Sequence, residues 1–82
     1  MLLKVYPNPF NHEFIFIDYS SRSLTTSFKV TDIMGLLVSE GTIKEGTNCV
    51  KVGNLTPGIY ILNLFDEQNI LTKSIKIVKT YE

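Results

Sequence analysis

The chain has 82 residues, of which 8 are Lys or Arg and 8 are Asp or Glu, so its formal net charge is zero. This length allows one small domain. The balanced charge lacks the basic excess expected of a nucleic-acid-binding surface or of a polybasic membrane binder. Hydrophobic residues make up 44% of the chain, which is enough for a core and argues against wholesale disorder.

The residue types that support metal binding and catalysis are scarce. Cys49 is the only cysteine, which excludes an internal disulfide and a multi-cysteine zinc site. His12 is the only histidine, and no second ligand lies near it in the sequence. We therefore expect a solvated loop histidine, an inert or weakly exposed thiol, no enzymatic activity, no metal and no cofactor.

Short segments rich in Val, Ile, Thr, Phe and Tyr alternate with turn signals along the whole chain. A strand spacing of roughly ten residues, without any helical period, predicts an all-β fold, a seven-stranded antiparallel sandwich. The predicted strands, in chain order, are Leu2–Tyr6, Glu13–Tyr19, Thr25–Asp32, Leu36–Thr42, Asn48–Gly53, Ile59–Phe65 and Leu71–Lys79.

Two of the segments between these strands have distinctive turn residues. Pro7-Asn8-Pro9 cannot continue a strand, because proline lacks an amide donor and has a fixed φ. The segment from Asp32 to Gly35 predicts a tight turn, in which the Asp32 carboxylate accepts hydrogen bonds from turn amides and Gly35 has a positive φ.

The later turns are also predicted from Asn, Asp, Pro and Gly. Asn54–Gly58 combines three of these residue types, and Gly58 lets the chain enter the sixth strand after Pro57. We expect Leu55 to cover one end of the sandwich. Asp66–Asn69 predicts a hairpin loop between the last two strands.

Several segments, taken in their order and spacing, resemble a known family. The chain opens with Lys4-Val5-Tyr6-Pro7-Asn8-Pro9-Phe10, continues with Val30–Gly35, Val50–Val52 and Leu55–Ile61, and closes with the lysine-spaced strand Lys73–Lys79. This pattern resembles the C-terminal sorting domain of the type IX (Por) secretion system, type A. The fold of that family is a seven-stranded immunoglobulin-like β-sandwich, which agrees with the strand count obtained from the residues.

The resemblance implies a non-catalytic export tag at the end of a larger protein from a Bacteroidota-type bacterium. In that family the parent enters the periplasm by a signal peptide, and the folded domain directs it through the outer-membrane translocon. A surface sortase-like protease usually removes the domain, and the cargo is often attached to lipopolysaccharide. The expected partners are therefore the translocon, the protease and an upstream cargo domain, and the expected location is the cell surface or the medium.

The two ends of the chain bear on this interpretation. Met1–Lys4 is too short to be a secretory signal, which taken literally indicates a cytoplasmic protein. The resemblance favours the other interpretation, in which residues 1–82 are a single sorting domain cut from a larger exported protein. Members of the family commonly end at the lysine-rich strand, so we expect Thr80-Tyr81-Glu82 to weaken recognition by a translocon that binds a free C-terminal end.

Each residue that the resemblance assigns to sorting also has a structural explanation. For Tyr6–Phe10, the Asp32 turn, Leu55 and Gly58 we favour packing and turn geometry. For the three lysines of the last strand both explanations stay open: a recognition signal, or solvation of an edge strand, where lysine discourages strand pairing. The complete set is Tyr6, Pro7, Asn8, Pro9, Asp32, Gly35, Leu55, Gly58, Tyr60, Lys73, Lys76 and Lys79.

A second hypothesis from another functional class is an immunoglobulin-like accessory module for adhesion or carbohydrate binding. Carbohydrate binders commonly present aromatic side chains on one face. This chain has no Trp, and its 4 Tyr are scattered along the sequence. We therefore favour the sorting function, which requires this segment to lie at the C-terminal end of its parent.

Two predicted strands, the second and the sixth, are apolar on both faces. The resemblance implies that Phe14 and Phe16 point into the core. In the sixth strand we predict that Tyr60, Leu62 and Leu64 point inward, because Asn63 then faces water. If the two strands are neighbours in one sheet, the outward residues form a contiguous apolar patch, which predicts an interface with a weakly associated second copy, the cargo or the translocon. The predicted patch consists of Ile15, Ile17, Ile59, Ile61 and Phe65.

Overall fold

Seven strands build two antiparallel sheets in the computed structural model, which describes residues 2–20 and 26–81. A three-stranded sheet has the order β1-β2-β5, and a four-stranded sheet has the order β4-β3-β6-β7. The described part of the chain has no helix long and apolar enough to span a membrane. The strands are β1 Leu2–Tyr6, β2 Phe14–Ser20, β3 Thr26–Asp32, β4 Leu37–Ile43, β5 Gly46–Lys51, β6 Gly58–Phe65 and β7 Leu71–Lys79.

The predicted seven-stranded immunoglobulin-like sandwich is confirmed, and β1 and β7 have the predicted bounds. The predicted first residue of the third strand, Thr25, lies outside the described residues. The largest difference concerns β5, which begins at Gly46 because Gly46 and Thr47 pair with the end of β2. Val52 leaves that ladder and donates its amide to the carbonyl of Glu13 at 2.8 Å.

The core lies between the two sheets and takes alternate residues from their strands. Phe28, Val30, Val50 and Ile77 are each at most 5% exposed, as the alternation of apolar and polar residues predicts. The inward residues of β6 are also as predicted, since Tyr60, Leu62 and Leu64 are all buried.

Gly41 of β4 makes room for one of these core side chains. It lies directly opposite Phe28, and a Cβ atom at Gly41 would be 2.9 Å from Cε1 of the Phe28 ring. A larger residue would force the ring to move. The glycine therefore belongs to the packing of the core and not to a turn.

The predicted orientation of β2 is wrong, because its inward and outward faces are exchanged. Ile15 and Ile17 are 0% exposed, whereas Phe14 is 40% exposed. The reason is the register: Ile17 lies opposite Val5 of β1, and Ile15 lies opposite the buried Val50 of β5. Residues that face each other across a ladder share a side of the sheet, so the neighbours of β2 decide which of its two apolar faces is inward.

The five-residue patch predicted from β2 and β6 is wrong for the same reason and for a second one. The two strands lie in different sheets, and Ile15 and Ile17 are core residues. Ile59, Ile61 and Phe65 do lie on the outer face of the four-stranded sheet, where Ile59 is 45% exposed. The prediction of a weak homodimer depended on the five-residue patch, so the structure does not support it.

The orientation of β2 can be tested by truncating one residue from each of its faces. We expect Ile17→Ala to lower the free energy of unfolding by about 2–5 kcal/mol, because it leaves a cavity in a closely packed core. Phe14→Ala, on the exposed face, should cost less than half as much. Urea denaturation of both variants measures the difference, and a larger loss for Phe14→Ala would show the opposite orientation.

Candidate functional site

The C-terminal strand β7 lies at one edge of the four-stranded sheet, and part of its outer edge is covered by the segment that follows β1. We call Pro7–Phe10 the crossing segment, because it leads from β1 in one sheet to β7 in the other. The peptide bonds before Pro7 and Pro9 are both cis. Phe10 pairs in parallel with Lys79, so the crossing segment joins the first strand to the last.

Five hydrogen bonds attach the crossing segment to β7 and to Thr80, the residue after that strand; one of them runs from the Thr80 hydroxyl to the carbonyl of Phe10 at 3.3 Å. The amide of Phe10 donates to the carbonyl of Val78 at 2.9 Å, and the amide of Thr80 donates to the carbonyl of Phe10 at 2.8 Å. The side chain of Asn8 supplies the other two. Its Nδ2 donates to the carbonyl of Lys76 at 3.0 Å, and its Oδ1 accepts from the amide of Val78 at 3.0 Å. The carboxamide thus takes the place of a strand backbone, with one donor and one acceptor.

The two aromatic residues that flank the crossing segment have different surroundings. Phe10 is 1% exposed and belongs to the core. Tyr6 stacks on Phe16 on the outer face of the three-stranded sheet, with 5.6 Å between ring centroids, and its hydroxyl donates to Asp18 Oδ1 at 3.1 Å. These contacts agree with the packing explanation that we favoured for Tyr6–Phe10, whereas Pro7 and Pro9 are exposed.

The structural role of Thr80 is not evident from the sequence, where Thr80-Tyr81-Glu82 is simply an addition to the last strand. The structure shows that Thr80 donates its amide to Phe10 and extends the pairing with the crossing segment. Tyr81, by contrast, is 83% exposed. No local pattern in the sequence distinguishes these two residues, because the partner of Thr80 lies 70 positions away.

The three lysines of β7 occupy different environments. Lys73 and Lys76 are exposed, whereas Lys79 is 5% exposed. Lys79 has the same parity as the buried Ile77, so its aliphatic stem packs at the end of the core. Its ammonium group has no hydrogen-bond partner among residues 2–20 and 26–81, and no buried nitrogen there is unsatisfied, so the group reaches solvent. Solvation of an edge strand therefore does not explain Lys79.

The turn between β3 and β4 has the predicted geometry. Asp32 Oδ1 accepts hydrogen bonds from the amides of Met34 at 2.8 Å and Leu36 at 2.9 Å. Gly35 has a φ of +88°, in the region that favours glycine. Both predicted turn roles are confirmed.

The hairpin loop predicted at Asp66–Asn69 repeats this arrangement, although no role was predicted for the Asp66 carboxylate. Asp66 Oδ1 accepts from the amides of Gln68 at 2.9 Å and Ile70 at 3.0 Å. Asn69 has a positive φ of 63°, a conformation that asparagine tolerates better than most residues. The Asp at the start of each loop was the available signal, since Asp commonly bonds to backbone amides just after it.

The turn that leads into β6 is held by Tyr60. Its hydroxyl donates to the carbonyl of Thr56 at 2.7 Å, and its ring is almost fully buried. Leu55 is partly buried and packs against the core, as expected for a residue at the end of the sandwich. Gly58 has a φ of +154° at the start of the strand. These contacts supply a structural explanation for all three residues of the sorting set in this turn.

The two residues considered for metal binding or catalysis lie on the surface. His12 and Cys49 are both exposed. Cys49 has the parity opposite to the buried Val50, as the alternation predicts. Within residues 2–20 and 26–81, no group of three or more His, Cys, Asp or Glu side chains is placed to hold a metal ion.

Fold and site together define a small immunoglobulin-like module. Its last strand carries two exposed lysines and is hydrogen-bonded to the crossing segment that follows the first strand. The family model described as the secretion system C-terminal sorting domain matches residues 4–79, and the chain belongs to that family. The match reaches all seven strands. Comparisons with curated proteins and with solved structures find no match.

Family membership assigns the chain its general role. It is a C-terminal sorting signal of type IX secretion, a class of domain that is generally non-catalytic. Such a domain interacts with the secretion machinery and with a cargo domain upstream of it. The destination is the cell surface or the extracellular space.

The attachment of the crossing segment to β7 can be tested at Asn8. We expect Asn8→Ala to lower the free energy of unfolding by about 1–3 kcal/mol, because it removes two hydrogen bonds to β7. Amide exchange at Val78 should become faster, which NMR can follow directly. Asn11→Ala is the matched control, since Asn11 is exposed and its side chain has no hydrogen bond in the described part of the chain. Equal stability and exchange in the two variants would contradict the role of Asn8.

The environment of Tyr6 predicts a pH dependence in the alkaline range. Partial burial, together with the hydrogen bond and the negative charge of Asp18, raises the pKa of the Tyr6 phenol, and the nearby Thr47 hydroxyl partly opposes this shift. A pKa that is raised on folding stabilises the protein fully below the unfolded-state value, about 10 for tyrosine, and this contribution is lost as the pH rises through the folded-state value.

We therefore expect the difference in free energy of unfolding between the wild type and Tyr6→Phe to be constant up to about pH 10 and to shrink above it. Denaturation curves of both proteins at a series of alkaline pH values measure this difference. A difference that stays constant through the alkaline range would contradict a raised pKa at Tyr6.

Proposed function

We propose that residues 1–82 form a single sorting domain at the C-terminal end of a larger exported protein. The domain directs that cargo across the outer membrane. A surface sortase-like protease then removes it, and the cargo is attached to the cell surface. The observation that carries this proposal is the family match over residues 4–79, which extends from β1 to the end of β7.

Lys73 and Lys76 are the residues that we propose for recognition. Both are exposed on the last strand, and neither has an ion-pair partner among residues 2–20 and 26–81. A charged side chain that has no ion-pair partner within the described part of its own domain is available to a partner. Lys79 contributes mainly through its buried stem, so we assign it to stability.

The other residues of the sorting set act by building the fold that presents these lysines. Asn8 is bound to the backbone of β7, and Asp32 and Tyr60 hold turns. Family membership favours sorting over an accessory module for adhesion or carbohydrate binding. A position inside the parent protein, with further domains after it, would contradict the proposal.

Export of a reporter tests this function. A reporter with a periplasmic signal peptide is fused ahead of residues 1–82 and expressed in a bacterium with an active type IX system. We expect the reporter on the cell surface or in the medium, with the sorting domain removed, as mass spectrometry of the product would show. Retention of the reporter in the periplasm would contradict the proposal.

The role of the lysines is tested in the same fusion. We expect Lys73→Gln with Lys76→Gln to reduce export several-fold while the domain stays folded, because both side chains are exposed. Lys44→Gln with Lys51→Gln is the matched control, since these lysines are also exposed but lie away from β7. If Lys73→Gln with Lys76→Gln leaves export unchanged, these two lysines serve solubility and not recognition.

A further inference from the structure

The outer edge of β7 is open in the part that precedes the crossing segment. The carbonyl of Lys76 and the amide of Val78 both bond to Asn8, so the backbone groups of these residues point away from β6. Outward and inward pairs alternate with a period of two in an antiparallel ladder. The register with β6 is regular from Ser74 to Lys79, so the amide and carbonyl of Ser74 and the amide of Lys76 also point outward.

These three backbone groups have no partner strand among residues 2–20 and 26–81. We call them the open edge. An unpaired edge of this kind is the surface on which an extended segment of another protein can add as a strand. The bond from Asn8 to the carbonyl of Lys76 marks where such a strand must end.

The charges beside the open edge have one sign. Lys73 and Lys76 are exposed and have no ion-pair partner in the described ranges. Two lysines of other strands lie over aromatic rings: the ammonium of Lys4 lies 5.2 Å from the ring centroid of Tyr6, and that of Lys29 lies 5.5 Å from the ring centroid of Phe65. Unpaired backbone groups and unpaired cations therefore coincide on β7.

We propose that the open edge of β7, from Ser74 to Lys76, binds an extended acidic segment of a protein of the secretion machinery as an added strand. The proposal rests on the proposed function for the identity of the partner. Backbone hydrogen bonds hold the added strand, and Lys73 and Lys76 attract its carboxylates. The same lysines repel a basic segment and also a second copy of this edge, so they select the partner as well as bind it.

Ser74→Pro is the variant that tests strand addition. Proline lacks the amide that points outward at this position, and an edge strand tolerates proline where its amide faces solvent. Ser74→Ala is the matched control. It removes the hydroxyl, which donates to Asn63 Oδ1 at 2.6 Å, and keeps the backbone amide. Circular dichroism and thermal denaturation of residues 1–82 establish that each variant is folded.

Both variants are compared with the wild type in the reporter fusion. We expect Ser74→Ala to export like the wild type. We expect export by folded Ser74→Pro to fall by about an order of magnitude, the effect of losing one to two backbone hydrogen bonds and of blocking the approach of a strand. Lys73→Glu with Lys76→Glu should reduce export more strongly than the Gln pair, because it replaces attraction of carboxylates by repulsion.

The other outcomes overturn the proposal in distinguishable ways. Equal export by folded Ser74→Pro and Ser74→Ala would exclude strand addition at this edge, and an unfolded Ser74→Pro would show that its amide is needed within the sheet. Export by the Glu pair equal to that by the Gln pair would exclude an acidic partner. A wild-type dimer that Ser74→Pro abolishes would assign the edge to a second copy. Retention of the wild type and Ser74→Ala in the periplasm would contradict the proposed function itself.

Discussion

The pairing of the crossing segment with β7 is the interaction on which the arrangement of the two sheets depends. It joins residues 70 positions apart in the chain, Asn8 to Val78 and Phe10 to Thr80. Chain entropy opposes the closing of so long a loop. A domain of this size buries only about 60% of the surface of its unfolded chain, so each contact between its ends matters for stability. The buried ring of Phe10 and the side-chain amide of Asn8 supply an apolar and a polar contribution at the same point.

This pairing also divides the edge of β7 into two parts with different properties. From Lys76 onward the edge is occupied by the crossing segment, and Lys79 is held by its buried stem. Before the carbonyl of Lys76 the edge is open, and the exposed Lys73 and Lys76 lie beside this part. The strand is therefore fixed at its end and accessible near its middle, which suits an element that a partner must bind without unfolding the domain.

The same strand connects the family assignment with the chemistry of the site. The family describes a signal, and a signal needs a surface that is presented in a constant geometry. Hydrogen bonds to β6 on one side and to Asn8 on the other hold the backbone of β7 in place. The turns at Asp32 and Asp66, each closed by a carboxylate that accepts two amides, hold the strands on either side of β6. Contacts within the domain therefore hold the backbone of β7 in one geometry.

The sequence by itself determined the number of strands, the bounds of all strands except β5 to within one residue, and the chemistry of their turns. These features depend on local properties: the period of two in strands, the missing amide of proline and the turn preferences of Asp and Gly. The burial of Lys79 was not predicted, and parity alone does not decide it, since Lys73 has the same parity as Ile75, Ile77 and Lys79 and is exposed.

Only the tertiary structure decided which face of β2 is inward, because Phe14 and Phe16 alternate with Ile15 and Ile17 and a period of two is then satisfied by either face. The choice is made by Val5 and Val50 on the neighbouring strands, and strand neighbours are set by contacts between distant parts of the chain. The same holds for the separation of β2 and β6 into different sheets and for the pairing of Asn8 with β7. Each of these depends on which segments meet in space, and the local sequence does not contain that information.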